Sequence, residues 1–479
     1  MLEALKFPQK FVELIMICVT TPRFSFCING ALHGYLQSKR GLRQGDPMSP
    51  LHFVIGMEYL SRILTKIAKD SKFQFHPRCK SLALTHLCFA DDLLLFCKGD
   101  YVSATLLLRA FKLFENSSGL KANIGKSVVY GTGMDTHSFE RIVDISGFQK
   151  SLLPFKYLGM KICLKRLTRA DCDCLVDKMT KRIKVWSSRN LSYAGRIVLI
   201  NSVLLSINSF SSQIIILPKM VVQKINQVCR AFLWKSSEML NGLGNVSWEV
   251  VCKTNKEGGL GFKDIGLWNL CAIGKHVWDI TMKKDNLWVK WVNSVYIKND
   301  DWWNHIAPND ASWYWKRIVQ TKEIIKNLFT PIDFQSFNFS IQGLSNKMLS
   351  MQLERWKYSV IWDRSNVPKH RVIVWMALLG KLHTRDRLYR FGITPQADCL
   401  ICGAAEENHS HLFFSCCFSR KILLEVASWC GIIYTVYYVW RGRNRVLWDH
   451  ELPMVSVVVK NIIHVVCCKG VSCSEYKDF

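Results

Sequence analysis

Apolar residues recur through residues 49–70, SPLHFVIGMEYLSRILTKIAKD, at Phe53, Met57, Leu60, Leu64 and Ile67. Spacings of four and three put them on one stripe of an α-helix. Ser49 suits the N-cap of that helix and Pro50 its first position, where the missing N–H removes no hydrogen bond. Residues 23–38, RFSFCINGALHGYLQS, read instead as two strands around Asn29-Gly30, the pair that best fits a two-residue hairpin turn. A further helix is expected from about Ser103 to Asn116 with Gly119 just past its end. The short β-rich run KSVVYG follows. Strand, helix, hairpin, helix and strand make an α+β pattern.

Within this pattern, residues 87–96, LCFADDLLLF, place Asp91 and Asp92 side by side between two apolar runs. Alone, a polar pair there is an ordinary hairpin turn, since Asp bonds nearby backbone N–H groups. Adjacent carboxylates repel, however, and apolar walls would raise their proton affinity further. A hard divalent cation removes the conflict by taking carboxylate oxygens as ligands. Upstream, RGLRQGDPMSP (residues 40–50) is basic and Gly-containing and leads into a helix N-terminus. Arg40 and Arg43 offer planar donors there, and the helix end adds positive potential, a combination suited to phosphate as well as to a plain connecting loop.

Composition sharpens the picture. Lys and Arg number 64 against 37 Asp and Glu, a formal charge of +27 over 479 residues. A chain this basic and 49% hydrophobic folds and meets a polyanion, nucleic acid first. Its apolar runs are interrupted, Ile197–Leu217 by Asn201, Ser202, Ser206 and Asn208, so no spanning helix and no membrane partner are expected. MLEALKFPQK lacks a signal-peptide pattern, so secretion is not expected and the 19 cysteines do not read as a disulfide framework. All 17 tryptophans fall at or after Trp186, which implies separately built regions.

Near the C-terminus, CLICGAAEENHSHLFFSCC (residues 399–417) carries Cys399-x₂-Cys402, then His411 after eight intervening residues and Cys416 after four more. Three cysteines and a histidine form a normal closed structural zinc set. His409 and Cys417 stand as alternative ligands.

The succession RQGDPMSPLHF, FADD, SGLKANIGKS, YLGMKI resembles the palm of reverse transcriptases, specifically those of plant non-LTR (LINE-type) retrotransposons. WSSRNLSYAGRIVLINSVL, GGLGFKDIGLWNLC and the Cys/His segment resemble the same group. The resemblance implies a partial right-hand polymerase palm at 1–160, a helical thumb at 161–240, a mainly helical Trp-rich connection at 241–350 and a small zinc-binding module at 351–425. Residues 426–479 would be a tail remnant, because YYVWRGRNRVLW resembles a segment normally found further downstream. Asp91 and Asp92 match the catalytic, Mg²⁺-holding (or Mn²⁺-holding) hairpin; Arg43, Gln44, Gly45 and Lys126 match nucleotide- and template-binding positions; Tyr157, Leu158 and Gly159 match the primer grip. Zn²⁺ would sit on Cys399, Cys402, His411 and Cys416. Expected partners are an RNA template, a DNA primer and deoxynucleotides, in nucleus or cytoplasm; oligomeric state is not indicated.

The family's two-metal chemistry uses a third carboxylate from an earlier strand, and Glu3, Glu13, Asp46 and Glu58 do not match it. The resemblance therefore implies an N-terminally truncated polymerase, inactive as this chain. A non-catalytic remnant that binds nucleic acid through the basic thumb and zinc module is the alternative. In 161–200, ten Lys/Arg face three Asp, which suits phosphate contacts without sequence readout. Trp302, Trp303, Trp313 and Trp315 fit a core better than a base-stacking surface.

Overall fold

The computed structural model of the chain describes residues 2–37, 45–163, 166–187, 190–207, 209–236, 244–330, 334, 336–349, 360–426 and 429–468. Among them helices dominate, strands form four separate two-stranded sheets, and no helix is long and apolar enough to cross a membrane. The chain divides into two compact units, residues 1–164 with 283–305, and residues 165–282 with 306–479.

In the first unit, α1 (Gln9–Thr20) precedes the hairpin β1 (Arg23–Ile28)–β2 (Ala31–Gln37). Asn29 and Gly30 both hold positive φ, the geometry that matches strand twist in a two-residue turn. Helix α2 (Ser49–Ile67) begins at Ser49, so Met48 rather than Ser49 occupies the cap position and Pro50 falls within the first turn. Asp46 Oδ1 accepts the Met48 N–H at 2.8 Å just ahead of the helix, and no side-chain hydrogen bond caps its first turn. Helix α3 (Tyr101–Ser118) likewise starts earlier than expected, because Asp100 accepts the Ser103 N–H at 2.8 Å and Gly119 closes the other end with φ +76°. Leu60, Ile63 and Leu64 of α2 pack against Leu107, Ala110 and Phe114 of α3, with Phe73 between, and make this unit's core. The strand β5 (Val128–Val129) pairs in parallel with β6 (Gln149–Lys150), around α4 (Thr136–Ser146).

The second unit is helical. Helix α5 (Arg169–Ser187) buries Cys172, Leu175, Val176, Met179 and Ile183, and leaves Arg169, Lys178, Lys181 and Arg182 exposed. It packs against α7 (Lys219–Lys235), with α6 (Tyr193–Leu199) between them in sequence. In α8 (Ile265–Thr281), Asn269 is buried with its amide fully used. It donates to the Ser212 and Ile215 carbonyls and accepts the Leu217 N–H. Tryptophan is core here as expected: Trp315 of α9 (Trp313–Leu328) is 2% exposed, and Trp278 stacks among Phe334, Phe337 and Phe339. Trp302, in the first unit, is buried, while Trp303 and Trp313 are half-buried.

Two features bind α10 (Pro368–Leu378) into the second unit. Trp375, fully buried, donates its indole N–H to the Gly258 carbonyl at 2.7 Å. That carbonyl lies in the GGLGF loop, where a Cβ on Gly259 would stand 2.0 Å from the Lys253 carbonyl oxygen. On the other side His370, 1% exposed, stacks on Tyr437 at 3.8 Å and meets the edges of Tyr434 and Tyr438.

Gly259→Ala is expected to cost about 3 kcal/mol or more, since the clash is with backbone and no rotamer relieves it. Chemical denaturation of the purified variant checks this; a loss below about 1 kcal/mol contradicts the loop geometry. His370 supplies a pH test. Burial first, then Lys369 and Arg441, push its imidazole down to about 4. The unfolded chain then binds the proton between about pH 6.5 and 4 while the folded chain does not, so stability falls as pH drops through that window. Between pH 7.5 and 4.5 the swing is of order 2–3 kcal/mol at 1.36 kcal/mol per unit. His370→Phe should flatten the pH dependence by that amount relative to the natural chain; an unchanged difference at pH 7.5 and 4.5 contradicts it.

Candidate functional site

Strands β3 (His86–Phe89) and β4 (Asp92–Leu95) pair antiparallel with Phe89 opposite Asp92, leaving Ala90 and Asp91 as the turn. Ala90 holds φ +51°, a left-handed conformation that costs a non-glycine residue about 1–2 kcal/mol. The root of the hairpin is fixed: Leu93 and Leu95 pack on the α2–α3 core, and His86 Nε2 lies 2.9 Å from Ser61 Oγ. The tip projects. Asp91 and Asp92 are exposed, and neither carboxylate forms a hydrogen bond or ion pair among the described residues. The apolar walls expected around them are thus only half present. Strand alternation turns Leu93 and Leu95 to the core, whereas Leu87 and Phe89 are themselves exposed.

A second turn lies beside this tip. Strands β7 (Phe155–Tyr157) and β8 (Met160–Ile162) are joined by Leu158 and Gly159, both at positive φ. Burial, followed by the fields of Asp92 and Cys88, holds the Tyr157 phenol above its ordinary value. Of the other matched positions, Arg43 and Gln44 lie outside the described residues, and Gly45 holds φ +91°. Lys126 is exposed at the end of the 3₁₀ turn Ile124–Lys126, with no hydrogen bond or ion pair to Asp91 or Asp92. Asp46 is engaged with Met48 N–H, and Glu58 pairs with Arg62 at 2.9 Å. Among the described residues no third carboxylate joins the hairpin pair in a cluster of metal-binding size.

The converging set lies elsewhere. Cys399, Cys402, His411 and Cys416 bring three sulfurs and one imidazole nitrogen within 4.8 Å of one another. The local chain explains why. Cys399 donates its N–H to the Ala405 carbonyl, and its own carbonyl accepts the Gly403 N–H, both at 2.8 Å, with Gly403 at φ +63°. This knuckle points both thiols one way. The other half is a π-type turn over His411–Ser415, in which the Cys416 N–H reaches the His411 carbonyl at 2.7 Å. The wide turn puts residues five apart on one side; sequence spacing gave no hint of it. Asn408 accepts the His411 N–H at 2.8 Å and fixes its start. Of the alternatives, Cys417 is exposed, and neither it nor His409 belongs to the cluster.

Donor chemistry fits zinc. Zn–S bonds of about 2.3 Å place tetrahedral ligand atoms about 3.8 Å apart, so the observed set needs only a slight contraction. Cys402 Sγ already lies 3.2 Å from His411 Nε2. Burial pushes Cys399 up and Cys416 to about 12. Burial raises Cys402 as well, but the Ala404 N–H and hydrogen bonds from Cys399 and Cys416 outweigh it and hold that thiol below its usual value. Three thiols around one point, two of them buried, can become thiolates together only if a cation joins them. One participant escaped notice in the sequence: Glu407, fully buried, accepts the Leu400 N–H inside the knuckle at 3.2 Å. The only sequence signal was an acid between two pairs of metal-binding residues.

Comparison with known proteins agrees with both halves. Residues 1–162 match the reverse transcriptase (RNA-dependent DNA polymerase) family, and residues 339–422 match the family described as zinc-binding in reverse transcriptase. A protein of Arabidopsis thaliana described as a putative ribonuclease H protein is 30% identical over 352 residues, 65% of this chain and 54% of its own length. Two uncharacterized mitochondrial proteins of that plant are 26% identical over 110 residues (23% of this chain, 71% of theirs) and 40% identical over 68 residues (14% and 56%). The chain thus spans about half the length of the first of these relatives. With both matches in one chain, residues 1–162 are similar to the polymerase part and residues 339–422 to the zinc-binding part of reverse transcriptases, and the similar proteins named here come from a plant.

Proposed function

We propose that this chain carries the palm (1–160), thumb (161–240), Trp-rich connection (241–350) and zinc-binding module (351–425) of an RNA-directed DNA polymerase. The observation that carries the reading is the β3–β4 tip, where two adjacent carboxylates stand exposed with no hydrogen bond or ion pair among the described residues. Asp91 and Asp92 would hold Mg²⁺ or Mn²⁺, whose charge, when bound, offsets that developing on a transferring phosphoryl group. Arg43, Gln44, Gly45 and Lys126 would face incoming nucleotide and template. Tyr157, Leu158 and Gly159 would seat the primer end. The exposed Arg169, Lys178, Lys181 and Arg182 of α5 suit duplex phosphates, a contact that positions without reading sequence. Zinc on Cys399, Cys402, His411 and Cys416 would be structural, since all four positions are filled by protein.

Charge accounting limits what these residues do alone. Two divalent ions bring four positive charges, and the hairpin offers two negative ones. A third carboxylate would bridge the ions, and none clusters with Asp91 and Asp92 among the described residues. Losing one bridge at a few kcal/mol, with 1.36 kcal/mol per tenfold, slows the chemical step by about a thousandfold or more. A second reading follows from the same observation: without that carboxylate the chain acts only as a nucleic-acid-binding protein.

Primer extension on an RNA template, with Mg²⁺ and with Mn²⁺, separates the readings. The chain alone should bind the template–primer yet extend it no faster than its Asp91→Asn variant. Extension that disappears in Asp91→Asn would contradict the charge accounting and reveal a third ligand. Adding a segment with a strand-borne Asp should restore extension if the polymerase reading is right. Binding itself should weaken with salt by about 0.9 log units per phosphate contacted and log unit of salt; a flat response removes the nucleic-acid reading altogether.

A further inference from the structure

The family match for the zinc-binding segment ends at residue 422, yet the following helices fold onto it. Helix α13 (Trp429–Asp449) packs on α10 and on α12 (Cys417–Glu425), and α14 (Val455–Cys468) on α12 and α13. From α13 one charged side chain goes inward: Arg443 is 2% exposed. Its Nε donates to Glu407 Oε1 at 2.9 Å, and its Nη2 lies 2.8 Å from the same oxygen. Nη1 donates to Asn444 Oδ1 at 3.2 Å, and the guanidinium sits over the Trp440 ring at 5.1 Å.

Glu407 is the other half of the device. Oε1 also accepts the Arg385 N–H at 3.0 Å, at the start of α11 (Arg385–Arg390). Oε2 accepts the Leu400 N–H at 3.2 Å, between Cys399 and Cys402. Its backbone N–H donates to the Ala397 carbonyl at 2.8 Å, two residues before Cys399. One fully buried carboxylate thus pins the cysteine knuckle from both sides, and Arg443 neutralises that carboxylate.

We infer that Arg443 is a positioning residue of the metal centre, acting through Glu407 on the Cys399–Cys402 knuckle, and that helix Trp429–Asp449 is a working part of the zinc module rather than a tail remnant. The inference rests on the zinc reading of the four-residue cluster. Stability alone does not account for the pair. A buried ion pair rarely gains over apolar side chains of the same size, whereas removing one partner leaves an uncompensated charge. Without Arg443, the Glu407 carboxylate is left buried and uncompensated, and turning toward solvent to relieve that loosens its hold on the Leu400 N–H. The net charge argues in the same direction. Three thiolates on Zn²⁺ leave one excess negative charge, and an unpaired Glu407 would add another beside it. Partners one shell out from the ligands commonly set metal affinity in this way.

The test uses the full chain, with zinc affinity read by competition against a chromogenic chelator and site geometry read from the visible absorption of the Co²⁺-loaded protein. Arg443→Met and Glu407→Gln should each weaken zinc binding by about 10- to 100-fold. The double variant should lose no more than the worse single one, because both act through one contact. Arg443→Lys, which keeps the charge and loses the fork, should recover part of the loss. Val439→Ala, a fully buried position on the same helix, controls for stability: it should lower the melting temperature and leave zinc affinity within about twofold of the natural chain. Natural affinity and an unchanged Co²⁺ spectrum in Arg443→Met overturn the inference while the zinc reading stands. Equal loss in Val439→Ala overturns it too, since the effect would then be general unfolding. A natural chain that binds no zinc overturns the zinc reading itself and the inference with it.

Discussion

Like charges gathered at one point are unstable without a counter-ion, and both candidate sites are built around that constraint. In the first unit two carboxylates share a hairpin tip and form no ion pair among the described residues. In the second, three thiols and an imidazole converge within 4.8 Å. The solutions differ with exposure. The aspartates stand in water, where repulsion is screened and a hydrated hard cation can come and go. Cys399 and Cys416 are buried, so the unmetallated state keeps their protons and a metal must displace them. The first arrangement suits exchangeable ions at a reaction centre, the second a permanent structural one.

Rigidity is supplied differently as well. The hairpin rests on the α2–α3 core through Leu93 and Leu95 and projects its tip past it. The zinc module depends on buried polar links of long sequence separation. Trp375 reaches back to the Gly258 carbonyl, His370 sits among three tyrosines of α13, and Glu407 meets Arg443. The Trp375 and Glu407 links place polar groups where water cannot substitute, so both must be made for the module to hold its shape.

Local chemistry was legible in the sequence where a short segment determines its own conformation. Asn29-Gly30 forms its hairpin turn, the stripe Leu60–Leu64 forms a core, and Cys399, Cys402, His411 and Cys416 converge as their spacing suggested. Helix α3 starts ahead of Ser103 because Asp100 caps it and accepts the Ser103 N–H. The choice of Cys416 over Cys417 needed the π-type turn, a geometry that periodicity does not encode. Arg443 was invisible for another reason. A buried Arg is indistinguishable from its exposed neighbours Arg441 and Arg445 in WRGRNR until the partner 36 residues away is seen.

The most direct test of the charge argument is zinc content and X-ray absorption at the zinc edge on the full chain purified without added metal. The account predicts one zinc per chain, with three sulfurs at about 2.3 Å and one nitrogen at about 2.0–2.1 Å, and loss of that shell in Cys402→Ser. A chain that folds without stoichiometric zinc, or a shell of four sulfurs or of oxygen, would contradict it.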